Sequence, residues 1–223
     1  MSDYSHARRV MVDNQIRTFD VTDRAVLAAF DHTPRDVFVA PADRPLAYSD
    51  ARLIVQGERA ARPLLQPMVL ARLLQALRPQ QGERALDCFG GLGYSAALLA
   101  ALATSAIMVE SDAVLVSGAK AALAGAAPGV QVLPPSDLTA DDASALGDEV
   151  YDVILMNGAV DREPTALLSL LADGGRLGVI FRAGKVAKAR IYLRSGDAVA
   201  HRDAFEAQGL VLPGFSPQPS FVF

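Results

Sequence analysis

The chain lacks a second cysteine. Cys88 is alone among 223 residues, so no internal disulfide forms, and its apolar flank of Leu86 and Phe89 points to a buried, inert thiol in a reducing compartment. Positive charge is not in excess either: 21 Lys and Arg stand against 25 Asp and Glu, a net charge of −4 with a pI near 5.4. No global field would hold a phosphate backbone, and nucleic acid is not an expected partner. The apolar stretch from Tyr94 to Val109 falls short of the ~20 residues of a membrane span and carries Thr104 and Ser105. The opening MSDYSHARRV has no apolar region of a secretory signal. A cytoplasmic protein without a membrane partner is expected. His6, His32 and His201 are scattered without ligand spacing, so no metal is expected. Repeats and low-complexity tracts are missing as well.

What is present is enough apolar material for a core. Hydrophobic residues make up 51% of the chain, and a chain of this length buries on the order of 70% of its unfolded surface without a staple. The first part, 1–80, reads as a helical and irregular extension. Val10, Met11 and Ile16 fall at helical spacing; Thr22 is placed to cap a second helix carrying Val26, Leu27 and Phe30 until Pro34 ends it. Prolines then break the chain into short apolar pieces such as Val37–Val39 and Leu53–Val55, which read as loop with at most one short strand. Pro67 opens a helix whose Leu70, Leu73, Leu74 and Leu77 share a face.

After Gly82 the pattern alternates. Strand-like runs at Arg84–Cys88, Ala106–Val109, Val130–Leu133, Tyr151–Met156 and Arg176–Phe181 are separated by helical runs at Ser95–Ala103, Asp112–Ala126 and Glu163–Leu171. That rhythm predicts a parallel α/β sheet with helices on both faces. Ala189–Leu193 and Val199–Phe205 flank Ser195-Gly196-Asp197 and read as a closing hairpin. The basic residues Arg182, Lys185, Lys188, Arg190 and Arg194 there read as a solvated face that discourages edge pairing. The apolar end of the chain, Phe221-Val222-Phe223, is expected to be docked.

The chemistry gathers at strand ends. Asp87-Cys88-Phe89-Gly90-Gly91-Leu92-Gly93-Tyr94 follows a strand and opens a helix, where glycines let a ligand approach the backbone and amides are free to bind it. Glu110 ends the next strand, where a carboxylate accepts ribose hydroxyls, and Asp137 follows the strand after that, near an adenine edge. The three positions describe one adenosine-sized crevice. Gly91-Leu92-Gly93-Tyr94-Ser95-Ala96 also fits a dinucleotide fingerprint, which keeps an NAD(P)-binding oxidoreductase as an alternative. Asp87 before the glycines, the helical extension and the late hairpin favour a methyltransferase.

At these residues the sequence resembles the S-adenosylmethionine-dependent methyltransferases, and more narrowly the protein-L-isoaspartate O-methyltransferase family. Met11 to Arg17, Val26 to Phe30, Thr33 to Val39, Ala47-Tyr48-Ser49-Asp50 and Gln66-Pro67 follow that family's N-terminal order. Gly91 to Ala97, Val109-Glu110, Tyr151 to Ile154 and Gly174 to Leu177 follow its later segments. The resemblance implies a Rossmann-like fold: a seven-stranded, mostly parallel sheet with an antiparallel last strand, a lid over 1–80 and a methyltransferase core over 81–223. It implies transfer of a methyl group from S-adenosylmethionine to a carboxylate of an isoaspartyl-containing protein. Asp87, Phe89, Gly90, Gly91, Gly93, Glu110, Ser111, Asp137, Leu138 and Asn157 fall at its cofactor positions, and Leu65, Gln66 and Pro67 at its acceptor-positioning loop. Two departures stand out. Phe89 occupies the family's first glycine, where a benzyl group either clashes with the cofactor or redirects the loop. Pro63-Leu64-Leu65 replaces a Thr-Ile-Ser whose hydroxyls aim the acceptor. A relative that is inactive or has changed substrate, acting through protein contacts, is the alternative these departures raise.

Overall fold

A computed structural model describes residues 4–59, 61–103 and 105–216; the apolar end Phe221–Phe223 lies outside them. Helix α1 (Ser5–Met11) runs on through wider and then tighter turns to Phe19, where Asp20 in the left-handed region stops it. The second helix, α2 (Arg24–His32), is capped not by Thr22 but by Asp23, whose carboxylate accepts the amides of Ala25 and Val26 at 2.8 and 3.2 Å. A carboxylate suits that place, because it also meets the positive end of the helix dipole. The proline-rich stretch holds two strands rather than one. β1 (Leu53–Gln56) and β2 (Ala61–Leu64) form an antiparallel hairpin that is a separate sheet. Pro67 opens α3 (Pro67–Leu77) as expected.

The main sheet is built from β3 (Arg84–Cys88), β4 (Ser105–Val109), β5 (Gln131–Val132), β6 (Tyr151–Val160), β7 (Leu171–Ala183), β8 (Val186–Ser195) and β9 (Ala198–Glu206), in the order β5-β4-β3-β6-β7-β8-β9. β5, β4, β3, β6 and β7 are parallel, and β8 turns against them to make an antiparallel edge meander with β9. Between them lie α4 (Tyr94–Leu102), α5 (Ala113–Ala126) and the short α6 (Thr165–Ser169). The run Glu163–Leu171 shrinks to α6 because Pro164 delays its start and Leu171 already belongs to β7.

Two apolar clusters sandwich the sheet. On one face Leu70, Leu74, Leu98 and Leu99 of α3 and α4 pack with Met11, Phe30 and Phe38 from the N-terminal part, so residues before and after position 80 share one core. On the other, Leu86, Ile154 and Met156 are covered by Leu167 and Leu168 of α6 and by irregular chain carrying Leu138, Leu146, Leu212 and Phe215. Helices on both faces are thus only half of the outcome. Pro134 and Pro135 keep the segment after β5 from folding into one.

Candidate functional site

Parallel strands direct their carboxyl ends to one rim, and of the predicted crevice residues Asp87, the glycine turn and Glu110 meet there. Asp87 and Cys88 end β3, the glycine turn follows, and Gly91 and Gly93 take positive φ (62° and 95°) before α4 begins. Glu110 follows β4 directly and is fully buried. Asp87 is buried beneath the turn, and a side chain at Gly90 would strike its carboxyl. Asn157 of β6 donates its amide to Asp87 at 2.8 Å and to the Cys88 carbonyl at 3.1 Å, which ties the third strand to the turn. Burial pushes the Asp87 carboxyl up to about 7, against the pull of hydrogen bonds from Ser95 and Asn157. Cys88 is buried, and burial, together with the nearby Asp87 and Glu110 carboxylates, raises its thiol well above the usual range, which disfavours the reactive thiolate.

Phe89 takes a left-handed φ of 60°, a conformation that favours glycine, and its ring lies in the apolar cluster on the α6 side of the sheet, edge-on to Phe215 at 5.8 Å and 83°. Above the ring, at 5.2 Å, lies the guanidinium of Arg62 from β2. Arg62 is buried and grips Glu110 with both prongs, Nε to Oε2 at 3.0 Å and Nη2 to Oε1 at 2.7 Å, and reaches Ser111 Oγ at 3.0 Å. The sequence reading did not single out Arg62. One arginine among many in an irregular, proline-broken stretch carries no local signal, and only the hairpin register, with Arg62 opposite Val55 on the inward face, places it there.

A ribose at this strand end would need the Glu110 oxygens free to accept its hydroxyls. Arg62 takes them both. The residues present, as arranged, therefore do not fit an adenosine: the carboxylate is neutralised and its approach is filled by guanidinium and benzyl groups. Asp137 stands apart from the predicted crevice, with a side chain 71% exposed and Arg59 as a distant partner at 3.9 Å, while Leu138 turns into the apolar cluster covered by α6.

The acceptor-side residues form a second group. Arg35, completely buried, donates to the carbonyls of Ala47 and Leu65, both at 2.9 Å, and lies over the Tyr94 ring at 4.8 Å. It fixes the loop from which Gln66 donates to the Asp50 carbonyl at 2.6 Å and Pro67 starts α3. Beside this loop is a cavity of 190 Å³ lined by Arg52, Leu53, Pro63, Leu65, Gln66 and Leu210. No hydroxyl side chain lines it.

A glycine turn, strand-end acids and a parallel sheet closed by an antiparallel meander define a Rossmann-like α/β protein of the methyltransferase architecture. The comparisons narrow this further. The family model described as protein-L-isoaspartate(D-aspartate) O-methyltransferase matches residues 6–204, and the chain belongs to that family. It is similar to the protein-L-isoaspartate O-methyltransferases of Koribacter versatilis, 34% identical over 76% of this chain and 74% of the relative, and of Methanoregula boonei, 35% identical over 78% and 77%. Among solved structures, one described as a protein-L-isoaspartate O-methyltransferase superposes with a TM-score of 0.78 over 94% of this chain and 67% of the other, at 19% identity. Another, from Plasmodium falciparum and described in complex with S-adenosyl-L-homocysteine, gives 0.79 over 93% and 98%, at 16% identity. These two show the fold. Family membership replaces the dinucleotide alternative.

Proposed function

We propose that this chain is a protein-L-isoaspartate O-methyltransferase whose donor crevice is shut in the structure by its own side chains. The observation that carries the reading is the family match across nearly the whole chain, N-terminal segment included. S-adenosylmethionine is the donor this membership implies, and an isoaspartyl carboxylate on a damaged protein is the acceptor. The cytoplasm is the proposed compartment, in keeping with the buried, free thiol of the lone cysteine; among the described residues no helix is long and apolar enough to cross a membrane. Residues 1–80 serve as the acceptor-side lid over 81–223, with neither nucleic acid nor membrane as partner.

In this reading the chain's task is placement, because a carboxylate is already a nucleophile at neutral pH and orientation supplies most of the rate. The cavity beside Leu65 receives the acceptor, Arg52 offers the cation a carboxylate needs, and Arg35 holds the Leu65-Gln66-Pro67 loop in register. Beyond Arg52 and the amides of Gln66 and Gln208 the lining is apolar and carries no hydroxyl to aim the acceptor, so transfer is expected to be slow. Labelled methyl incorporation into an isoaspartyl peptide, with the aspartyl peptide as control, tests this. Slow isoaspartyl-dependent labelling is expected. Its absence in the folded chain, both as it stands and with Arg62 replaced, overturns the reading and leaves a non-catalytic relative acting through protein contacts.

A further inference from the structure

We infer that the β1–β2 hairpin is a strap that holds the donor crevice shut, with Arg62 the internal occupant of the place beside Glu110. The inference deepens the proposed function and rests on it for the identity of the crevice. Three fastenings carry it. Arg62 forks onto Glu110 and reaches Ser111. The backbone amide of Arg59 donates to Asp112 Oδ2 at 2.6 Å, on the same carboxylate that caps α5 through Val114 and Leu115. Val55 and Arg62 lie against the glycine turn so closely that a Cβ on Gly91 would come within 2.8 Å of Val55 Cγ2.

Two features make this a strap rather than a fixed wall. The hairpin is hydrogen-bonded as its own two-stranded sheet, so it lifts without breaking the main ladder, and an isolated two-stranded hairpin has little stability of its own. Its closing also depends on a residue without a side chain. A Cβ on Gly57 would sit 2.4 Å from the Asp112 carboxyl, which the α5 amides hold in place. Gly57 is thus where the strap fits under its clasp, and a side chain there wedges it open while both members of the buried ion pair remain.

The test compares the wild-type chain with Arg62→Ala and Gly57→Val. Two measurements are made on folded protein: calorimetric titration with S-adenosylhomocysteine, and hydrogen exchange of the amides of β1 and β2. The closed fraction reduces apparent affinity in proportion, so both variants are expected to bind at least tenfold more tightly than wild type and to exchange faster along the hairpin. If Arg62→Ala does not fold because Glu110 is left buried alone, Gly57→Val carries the test. Hairpin exchange unchanged in Gly57→Val, or wild-type binding already as tight as that of the variants, overturns the strap. Faster hairpin exchange with no binding by any folded variant leaves the strap standing and overturns the donor half of the proposed function.

Discussion

Replacing Phe89 separates two energies that the structure assigns to one residue. The ring is almost completely buried between Arg62 and Phe215, so removing it costs about 3–5 kcal/mol, as large aromatic truncations in cores do. The backbone works the other way. At φ 60° any residue with a Cβ is held in the left-handed region at a cost of about 1–2 kcal/mol, and glycine is not. Phe89→Ala loses the ring and keeps the strain, whereas Phe89→Gly loses the ring and relieves it. The glycine variant is therefore expected to be destabilised by about 2–4 kcal/mol and to be more stable than the alanine variant by about 1 kcal/mol, after allowance for the greater flexibility of unfolded glycine. This reverses the usual order, in which glycine is the worse residue by about 0.5–1 kcal/mol in regular elements. Urea unfolding followed by far-ultraviolet circular dichroism measures both. An alanine variant equal to or more stable than the glycine one would refute the left-handed assignment, and with it the reading that Phe89 occupies a glycine conformation.

Two further outcomes follow from single groups. Asp23→Ala removes the cap that holds the amides of Ala25 and Val26 and is expected to cost about 1 kcal/mol, read as a lower urea midpoint with an unchanged slope; an unchanged midpoint would return the cap to Thr22. Asp87, with its carboxyl raised to about 7 by burial, binds its proton more tightly folded than unfolded. Its contribution to stability is therefore fully present below the ordinary carboxyl range and is lost as pH rises from about 4 to 7. The difference in stability between wild type and Asp87→Asn is expected to move against wild type over that window, and a flat difference would show that the carboxyl is not raised.

The framework was legible in the sequence because its signals are local. Alternating apolar runs placed the five parallel strands, and the turn at Ser195-Gly196-Asp197 placed the β8–β9 hairpin. The strand-end positions of Asp87 and Glu110 brought them to one rim, because parallel strands leave no other place for them. What the sequence hid depends on tertiary register. β2 is a four-residue strand with a proline at its third position, a pattern that reads as loop, so neither the hairpin nor the inward direction of Arg62 could be read from it. Arg35 was legible as part of a family segment but not as the buried cation that holds Leu65. The short α6 was overread for the opposite reason, since the apolar run through Leu171 continues into β7 and period alone does not mark where helix yields to strand.

Phe89 and Arg62 both fill the donor crevice, and their geometry makes them one unit. A guanidinium drawn into a closed crevice needs its charge met on more than one side, since burial of a charge is repaid only when the surrounding groups are well placed. Glu110 and Ser111 meet the in-plane donors of Arg62, and the Phe89 ring, 5.2 Å from the guanidinium carbon, meets its face. A glycine at 89 would leave that face against empty space; a phenylalanine without Arg62 would leave Glu110 buried without its cation, held by Ser111. The two side chains are therefore expected to be coupled by about 1–2 kcal/mol, the range of a desolvated cation–π contact. A double-mutant cycle of Arg62→Met and Phe89→Leu, read by urea unfolding, measures this directly, since both replacements keep volume and remove the electrostatic contact. Additivity within about 0.5 kcal/mol, the scatter of independent sites, would show that Phe89 fills space only and that Arg62 is held by Glu110 and Ser111 without it.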